Sequence, residues 1–418
     1  MATPVFCCGM ECGQVGNVGQ HWTNDTGTVS VSTTTVRNGA RSLRINLSAV
    51  AALENGLTFG TGTTKVWRDV IRFATLPNAD TLLSAHFYGG TYAGVGFKVS
   101  DSKLYAAVQI AGVITFGGTG VSATTGTWYV CDVKTVGSVV TGTSDVQVNT
   151  VACGQATGAF AGANSDGRPY RGSSKSVTAD IFFEDYLLSE TAGDYPLGDG
   201  YVNHFICTAD GSHNIAGAND FERGTLGTDI TNATTDAYLL IDEVPLDDTT
   251  PDTNDFINMI APPNASDHTR HNFGPAPGIS TPTTAPRAVE VIAGIHQAGT
   301  GLGNMELELW DANANKESVY AATGVAGTTT LTYKRAHFAT FAAGAWVITG
   351  TIANFNSMSI VFTSPAAVDA NPDQYFDCVM IEAEFSAVPP GTNPVWLRVG
   401  GVRGMRAGNQ NQNLGRSW

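Results

Sequence analysis

Apolar and polar residues alternate in short segments along most of the chain. In TVSVSTTTV, SLRINL, WYVCDVKTV and DVQVNTVAC, side chains of like character recur at every second position, which places them on one face of a β-strand. Gly, Asn, Asp and Pro separate these segments, as at Asn38-Gly39, and favour chain reversals. The pattern predicts antiparallel strands with little helix. The best helical candidate is SAVAALENG, with Ser48 as its cap and Gly56 as its end, and its shortness leaves a loop turn as the alternative.

The strand pattern occurs in two sets. The first set ends at DIFFEDYLL, before the Gly- and Pro-containing segment TAGDYPLGDGY, and a second set resumes at AVEVIAGIHQ after an acidic and Pro/Thr-rich region. The sequence therefore predicts an all-β fold of two consecutive antiparallel β-sandwich domains, at residues 1–198 and 199–388. Residues 389–418 are rich in Pro, Gly, Asn and Gln, and we expect a C-terminal tail that docks on a neighbour.

Charge is sparse and mostly negative. Charged residues make up 14% of the 418 residues and the net charge is -15, against about a quarter charged residues in ordinary domains. This balance and the lack of a basic cluster argue against binding to nucleic acid. No long apolar run predicts membrane insertion, and the N-terminus lacks the basic flank of a secretory signal. We expect a protein that is made as a soluble cytoplasmic product.

The cysteines show no metal-binding spacing. No CxxC pair occurs, so we expect small buried thiols in strands, with a late disulfide as the alternative. The seven are Cys7, Cys8, Cys12, Cys131, Cys153, Cys207 and Cys378.

Paired carboxylates are the first candidates for chemistry, because glycoside hydrolases use two acids in one cleft. Alternation places Glu184 and Asp185 on opposite faces of a strand. Two other pairs, Glu382 with Glu384 and Glu306 with Glu308, share a face, and we expect these to be solvated strand faces. The chain also lacks a G-x-S-x-G elbow, a P-loop and a dinucleotide fingerprint. The sequence therefore predicts that the protein is not an enzyme.

Two other groups could bind metal. The acidic loop around residues 242–255 offers oxygens to calcium, but it lacks the EF-hand order, so a subunit contact or a solvated loop is an equal or better interpretation. His268 and His271 could form a metal pair only on a helix, and their Pro- and Gly-rich surroundings favour a loop. We expect no cofactor, with calcium as the alternative. The calcium candidates are Asp242, Asp247, Asp248 and Asp252.

Aromatic residues in Gly-rich segments are candidates for binding sugar rings, since aromatic rings offer flat apolar faces. The candidates for a glycan site are Tyr88, Tyr92 and Tyr170.

Several segments resemble concanavalin A-like jelly-roll modules in the virion proteins of tailed bacteriophages. The start of the chain resembles their Gly-aromatic-Glu-x-Gly opening, Trp and R-x-G-x-x-S-L-R strand, with Met10 where an aromatic residue is usual. The residues around 242–248 resemble their VDE-x-P-x-D-D segment. The junction at LGDGYV and the segments WVITGTIANFNSMSIVF and DCVMIEAEF are also similar. The matching residues are Gly9, Glu11, Gly13, Trp22, Arg37, Gly39, Ser42, Leu43, Arg44, Asp242, Glu243, Pro245, Asp247 and Asp248.

The resemblance implies a non-catalytic structural protein of the virion, located on the tail, neck or capsid surface. Its expected partners are copies of itself and other virion proteins. The alternative is a lectin-like module of a tail fibre or head decoration that binds host glycans. A glycan-degrading enzyme is a third class, for which the sequence offers no convincing catalytic carboxylate pair.

Overall fold

Two antiparallel sheets contain nearly all of the regular structure described. The computed structural model describes residues 4–10, 29–55, 63–160, 169–216, 221–224, 228–242, 256–259, 267–277, 279–297, 306–311, 316–320, 332–339, 352–363 and 374–386. Within them, the prediction of an all-β fold of antiparallel β-sandwich type with little helix is confirmed, since the α-helix α1 spans only Ile352–Asn356. The predicted docking tail at 389–418 lies outside the described residues.

The first sheet has twelve strands, all from the first half of the chain. Nine follow the order β11-β10-β9-β4-β12-β5-β6-β7-β8, while β1 and β3 pair with β12, and β2 pairs with β3. The strands are β1 (Pro4–Cys8), β2 (Val29–Ser32), β3 (Ser42–Asn55), β4 (Thr64–Thr75), β5 (Thr81–Tyr88), β6 (Thr91–Lys98), β7 (Lys103–Ile110), β8 (Val113–Ser122), β9 (Trp128–Val136), β10 (Ser138–Val148), β11 (Val151–Phe160) and β12 (Pro169–Ser189).

The long strand β12 connects the two layers of this sheet. Its start, Pro169–Arg171, pairs with β5, and its later part, 180–189, pairs with β4. The inward-facing side chains of both layers form one apolar core, which includes Trp67, Phe73 and Phe183. Period-two alternation thus produces a sandwich whose layers share a strand.

The second sheet has eleven strands from the second half. Nine follow the order β15-β14-β16-β23-β13-β17-β22-β19-β20, and β18 pairs with both β21 and β23. It encloses a separate apolar core that includes Phe205, Phe362 and Phe385. The strands are β13 (Gly200–Asp210), β14 (Phe221–Arg223), β15 (Thr228–Asp229), β16 (Ile257–Met259), β17 (His268–Pro275), β18 (Ala288–Gln297), β19 (Glu306–Trp310), β20 (Lys316–Tyr320), β21 (Thr332–Ala339), β22 (Ser359–Thr363) and β23 (Gln374–Ser386).

The chain crosses from the first sheet to the second between Ser189 and Gly200. Both sheets belong to one compact unit, Met1–Val388. The predicted division into two domains at residue 198 stays a prediction, because the sheets divide there but their independent folding is untested.

The segment SAVAALENG, the helical candidate with a loop turn as its alternative, is a strand instead. Described residues 48–55 of this segment continue β3, and Val50 pairs with Val177 of β12. Pairing with the long central strand outweighs the local helical preference of the alanines. Each of the six described cysteines is buried, as the sequence leads us to expect.

The close approach of β8 to β11 gives a first test of the packing. A Cβ on Gly117 would lie 1.9 Å from the carbonyl oxygen of Gln155, whereas nothing lies within 4 Å of a Cβ on Gly193. We expect Gly117→Ala to lower the free energy of unfolding by about 1–3 kcal/mol, because the two strands must separate. Gly193→Ala is the matched control and should leave it within about 0.5 kcal/mol. Urea unfolding of both variants measures this, and equal effects would contradict the described approach of the strands.

Candidate binding surface

The β5–β6 hairpin places two aromatic rings side by side. Its turn residues Gly89 and Gly90 have φ of 56° and 95°, the left-handed values that a tight type I′ hairpin turn needs and glycine adopts without strain. The turn pairs Phe87 with Tyr92 and Tyr88 with Thr91. Because side chains alternate, Phe87 and Tyr92 lie on one face of the sheet and Tyr88 lies on the other.

Tyr170, which belongs to β12, packs against these two rings. It pairs with Ala85 of β5 and so lies on the face that carries Phe87. The rings of Tyr92 and Tyr170 are 5.1 Å apart at 87°, and Phe87 lies 5.2 Å from Tyr92 and 6.1 Å from Tyr170. These distances are within the favourable range for aromatic pairs. We call Phe87, Tyr92 and Tyr170 the aromatic surface.

Small buried residues support the aromatic surface. Leu82, Ala85 and Ala107 form a buried apolar cluster on this face, and Tyr92 and Phe116 pack over it while remaining half-buried. Short side chains below let the rings lie close to the sheet. Tyr170 is 9% exposed, so Phe87 and Tyr92 provide most of the accessible ring area.

A buried amide lies beside the aromatic surface. Gln109 of β7 pairs in register with Tyr92, so the two side chains project from the same face. Gln109 is 8% exposed, and its Oε1 has no hydrogen-bond partner among the described residues. A buried acceptor without a partner costs about 1–3 kcal/mol, so this oxygen is an unusual feature of the face.

The structure corrects the prediction for Tyr88. This residue is fully buried between the layers, where its hydroxyl hydrogen-bonds to Thr135 and its ring packs 5.1 Å from Phe160. Burial raises the pKa of its phenol. It cannot reach a ligand on the outer face, whereas Tyr92 and Tyr170 can. The sequence analysis missed Phe87 and Gln109, although the Gly89-Gly90 turn is a local signal that pairs Phe87 with Tyr92.

Glu382 and Glu384 share a face of β23, as predicted, but the expected solvated face is wrong. Both are fully buried against the first half of the chain. Nη1 of Arg68 in β4 donates to Oε1 of Glu384 at 2.7 Å, and the amide of Gly9 donates to Oε2 of Glu382 at 3.1 Å. Arg287 also donates to both carboxylate oxygens of Glu384. The alternation was read correctly, but the polar face is covered by another sheet instead of water.

The carboxylates of Glu184 and Asp185 both contact the segment at Arg37 and Asn38. The register of β12 shifts between Glu184 and Leu187, and Asp185 has a φ of 51°. This bulge breaks the strict alternation. Glu184 accepts from the backbone amide of Arg37, and Asp185 accepts from its guanidinium at 3.2 Å. Burial raises the pKa of Asp185 in spite of Arg37 and Arg68. The prediction that these acids face apart is therefore wrong.

The metal candidates remain largely untested. Asp247, Asp248 and Asp252 lie outside the described residues, and Asp242 is half-buried. Among the described residues, no group of three or more His, Cys, Asp or Glu side chains is arranged to hold a metal ion.

The other predicted carboxylate pair, Glu306 and Glu308, is half-buried on one face of β19, where Nε1 of Trp310 donates to Oε2 of Glu308 at 2.7 Å.

His268 and His271 are on strand β17, not in the expected loop, and their side chains have different surroundings. His268 packs against Trp310 at 4.8 Å, while Nδ1 of the fully buried His271 lies 2.7 Å from Oδ1 of Asp210. Asp210 also accepts from the backbone amides of Ala237 and Tyr238. Burial raises the pKa of Asp210, but the hydrogen bond with His271 and the nearby His213, whose Nε2 lies 3.6 Å from Oδ2, outweigh burial and hold that pKa well below its usual range. Asp210 therefore acts as a buried anion that connects three segments of the second half.

A small pocket of about 210 Å³ lies beside α1 in the second half. Phe205, Phe273, Phe355 and Met358 are among its lining residues. Its lining contains no charged side chain, so it offers no acid or base for chemistry.

Among the described residues, no helix has the length and apolar character that a membrane span requires.

Comparisons with known proteins give only distant matches. No family model and no curated protein matches the chain. Alginate lyase Aly36B matches at 14% identity and a TM-score of 0.30, over 41% of this chain and 86% of the lyase. Trypanosoma rangeli sialidase in complex with the inhibitor DANA matches at 11% identity and a TM-score of 0.28, over 39% and 27%. A Shewanella oneidensis MR-1 protein of unknown function, SO2946, matches at 14% identity and a TM-score of 0.29, over 45% and 86%.

These neighbours contradict the prediction that the chain is not an enzyme, because two of the three are enzymes that act on glycans. We withdraw that prediction. TM-scores near 0.3 are too low to support any particular ligand or reaction for this chain.

The buried ion pair between the sheets gives a second test. Glu384→Gln removes the negative charge that faces Arg68 and Arg287, and an uncompensated buried charge costs about 3–5 kcal/mol. We expect a loss of that size in the free energy of unfolding, measured with urea. Asp180→Asn breaks the more exposed pair with Arg44 and should cost no more than about 1 kcal/mol. Similar losses in the two variants would contradict the described burial.

Acid is expected to destabilise the fold through His271. Burial lowers its pKa in spite of Asp210, so the folded chain holds the ring neutral, whereas the unfolded chain takes up a proton near pH 6.5. The contribution of the neutral His271 ring to the free energy of unfolding is fully present above about pH 6.5. It is lost as the pH falls below that value, by up to about 1.4 kcal/mol per pH unit. Urea unfolding at a series of pH values measures the slope.

His271→Asn keeps a donor towards Asp210 and removes the titration, so its slope should be shallower. Some slope should remain, because burial, with a smaller effect of Lys65, also lowers the pKa of His86. His268→Asn, on the same strand but half-buried, is the matched control and should keep the full slope. An unchanged slope in His271→Asn would rule out this origin.

Proposed function

We propose that this chain is a structural component of a bacteriophage virion that makes subunit contacts on the particle exterior, at the tail, neck or capsid surface. Its partners would be copies of itself and other virion proteins. The sequence resemblance supports this role, and one structural observation carries it: one end of the first sheet exposes aliphatic side chains on strand segments that contain no charged residue.

Four aliphatic residues define this end. Ile110 and Val113 flank the turn between β7 and β8 and are 37% and 69% exposed, while Val139 and Val140 near the start of β10 are 74% and 77% exposed. We call these four residues the valine end. Exposed aliphatic groups that lie together are typical of protein–protein contacts.

Contacts between β7 and β11 bring the four residues to the same end. A Cβ on Gly158 of β11 would lie 2.8 Å from Cδ1 of Ile110. Gly158 pairs with Gly142, and the register of β10 shifts between Ser138 and Gly142. Val139 and Val140 are in that irregular segment, so they lie near Ile110.

The strands around the valine end carry almost no charge. Residues 104–131, 135–144 and 146–165 contain no Asp, Glu, Lys or Arg, although the whole chain has a net charge of -15. Copies of an acidic protein repel one another over most of their surfaces. An end that exposes aliphatic groups on strand segments without acidic residues is where that repulsion is weakest and where burial of apolar area is favourable.

The valine end predicts concentration-dependent self-association. In sedimentation velocity of the full chain, we expect larger species to form as concentration rises. Val139→Ser together with Val140→Ser should weaken this association by about tenfold or more, since every 1.4 kcal/mol lost is a factor of ten. Val151→Ser is the matched control, because Val151 is 55% exposed at the opposite end of β10 and β11. A chain that stays monomeric, or equal effects of the variants, would contradict the proposed contact.

Purified particles of the phage that encodes the chain test the virion role directly. Mass spectrometry of gradient-purified particles should detect the chain in a fixed ratio to the major capsid protein. Its absence from intact particles would refute the role, whatever the outcome of the association experiment.

A further inference from the structure

We propose that the aromatic surface, together with Gln109, is a binding site for a neutral hexopyranose presented by an oligosaccharide or polysaccharide. This inference goes beyond the virion role and does not depend on it. It rests on three observations: half-exposed rings that pack against one another, a buried acceptor beside them and the scarcity of charged residues on β5, β6 and β7.

The rings match one face of a sugar. A hexopyranose presents a flat patch of C–H groups whose slight positive charge is attracted to the negative face of an aromatic ring. Phe87 and Tyr92 are half-buried and lie 5.2 Å apart. Tyr170 packs against both at 5.1–6.1 Å. The mutual packing holds the rings in place before a ligand arrives, which lowers the entropic cost of binding.

Gln109 supplies a hydrogen-bond acceptor beside the rings, which distinguishes a sugar ligand from a purely apolar one. Its Oε1 is buried beside Tyr92 and has no hydrogen-bond partner among the described residues. A sugar ring that stacks on Tyr92 carries hydroxyl groups at its edge, and one of these could donate to this oxygen. Binding would then satisfy an acceptor that folding leaves unsatisfied, which favours a ligand rich in O–H groups over an apolar one.

The charge pattern selects a neutral sugar. Strands β5, β6 and β7 have Lys98 and Lys103 as their only Lys, Arg, Asp or Glu residues, paired at the end of the sheet away from Tyr92. The ammonium of Lys175 reaches the turn after β7, where it donates to the carbonyl of Gly112. An acidic sugar would therefore meet no cation of these strands beside Tyr92 and would approach a chain with a net charge of -15, which disfavours it.

Two variants separate ligand binding from packing. Tyr92→Ala removes the more accessible tyrosine of the surface, and Gln109→Leu removes the acceptor while keeping the side chain's size. We expect each to weaken sugar binding by about tenfold or more. Gln109→Leu should also leave the fold as stable or more stable, because it removes an unsatisfied buried oxygen. A merely structural Gln109 would instead give a less stable protein with unchanged binding.

The experiment uses the full chain on an array of neutral oligosaccharides, followed by affinity electrophoresis in gels that contain a neutral polysaccharide or anionic polygalacturonate. Wild type should bind neutral glycans, and Tyr238→Ala, which truncates a half-buried tyrosine in the second half, should bind like wild type. The proposal fails if wild type binds no neutral glycan, if polygalacturonate is bound in its place, or if Tyr92→Ala and Tyr238→Ala lose binding equally. It also fails if Tyr92→Ala changes only self-association, which would make the surface a protein contact.

Discussion

The ion pair between Arg68 and Glu384 is the interaction on which the arrangement of the two sheets depends. Both side chains are fully buried, and each belongs to a different sheet. Burial and the facing acids act in opposite directions on the pKa of Arg68; the acids, Glu384 above all, outweigh burial and raise it. Two charges removed from water must face each other closely, because either one alone is strongly disfavoured. This requirement sets the position of β4 against β23.

Backbone contacts of the same charged groups extend this constraint. Arg287 donates to the carbonyl of Leu197, and Asp185 accepts from the amide of Val202, at 2.6 and 2.7 Å. The end of the connecting segment next to β13 is therefore held by charged side chains. Such bonds are directional, whereas apolar packing is not, so the charged network gives the junction a defined geometry. Glu384 and Asp185, each a member of an acid pair considered from the sequence, belong to this network.

Burial of charge also shapes the outer surface. Arg171 and Asp69 form a second fully buried pair at 2.7 Å inside the first sandwich, and Lys65 is buried as well. A chain with only 14% charged residues thus places some of these residues inside. The strands around the valine end and the aromatic surface are left with neutral polar, aliphatic and aromatic groups. Both proposed contacts follow from this distribution, since neutral surfaces lose less hydration when they are covered.

Local patterning determined the strands and the tight turns. Alternation in DVQVNTVAC and glycine at Gly89-Gly90 are properties of neighbouring residues. The alternation was sufficient to predict β-structure, and the turn contains the local signal that pairs Phe87 with Tyr92. Only the tertiary structure decided what covers each face. The same alternation describes the half-exposed Glu306 and the fully buried Glu384, because period two states which side chains share a face but not whether water or another sheet lies against it. Tyr170 and Gln109 meet Tyr92 through strand pairing between distant parts of the chain, and no local pattern encodes that order.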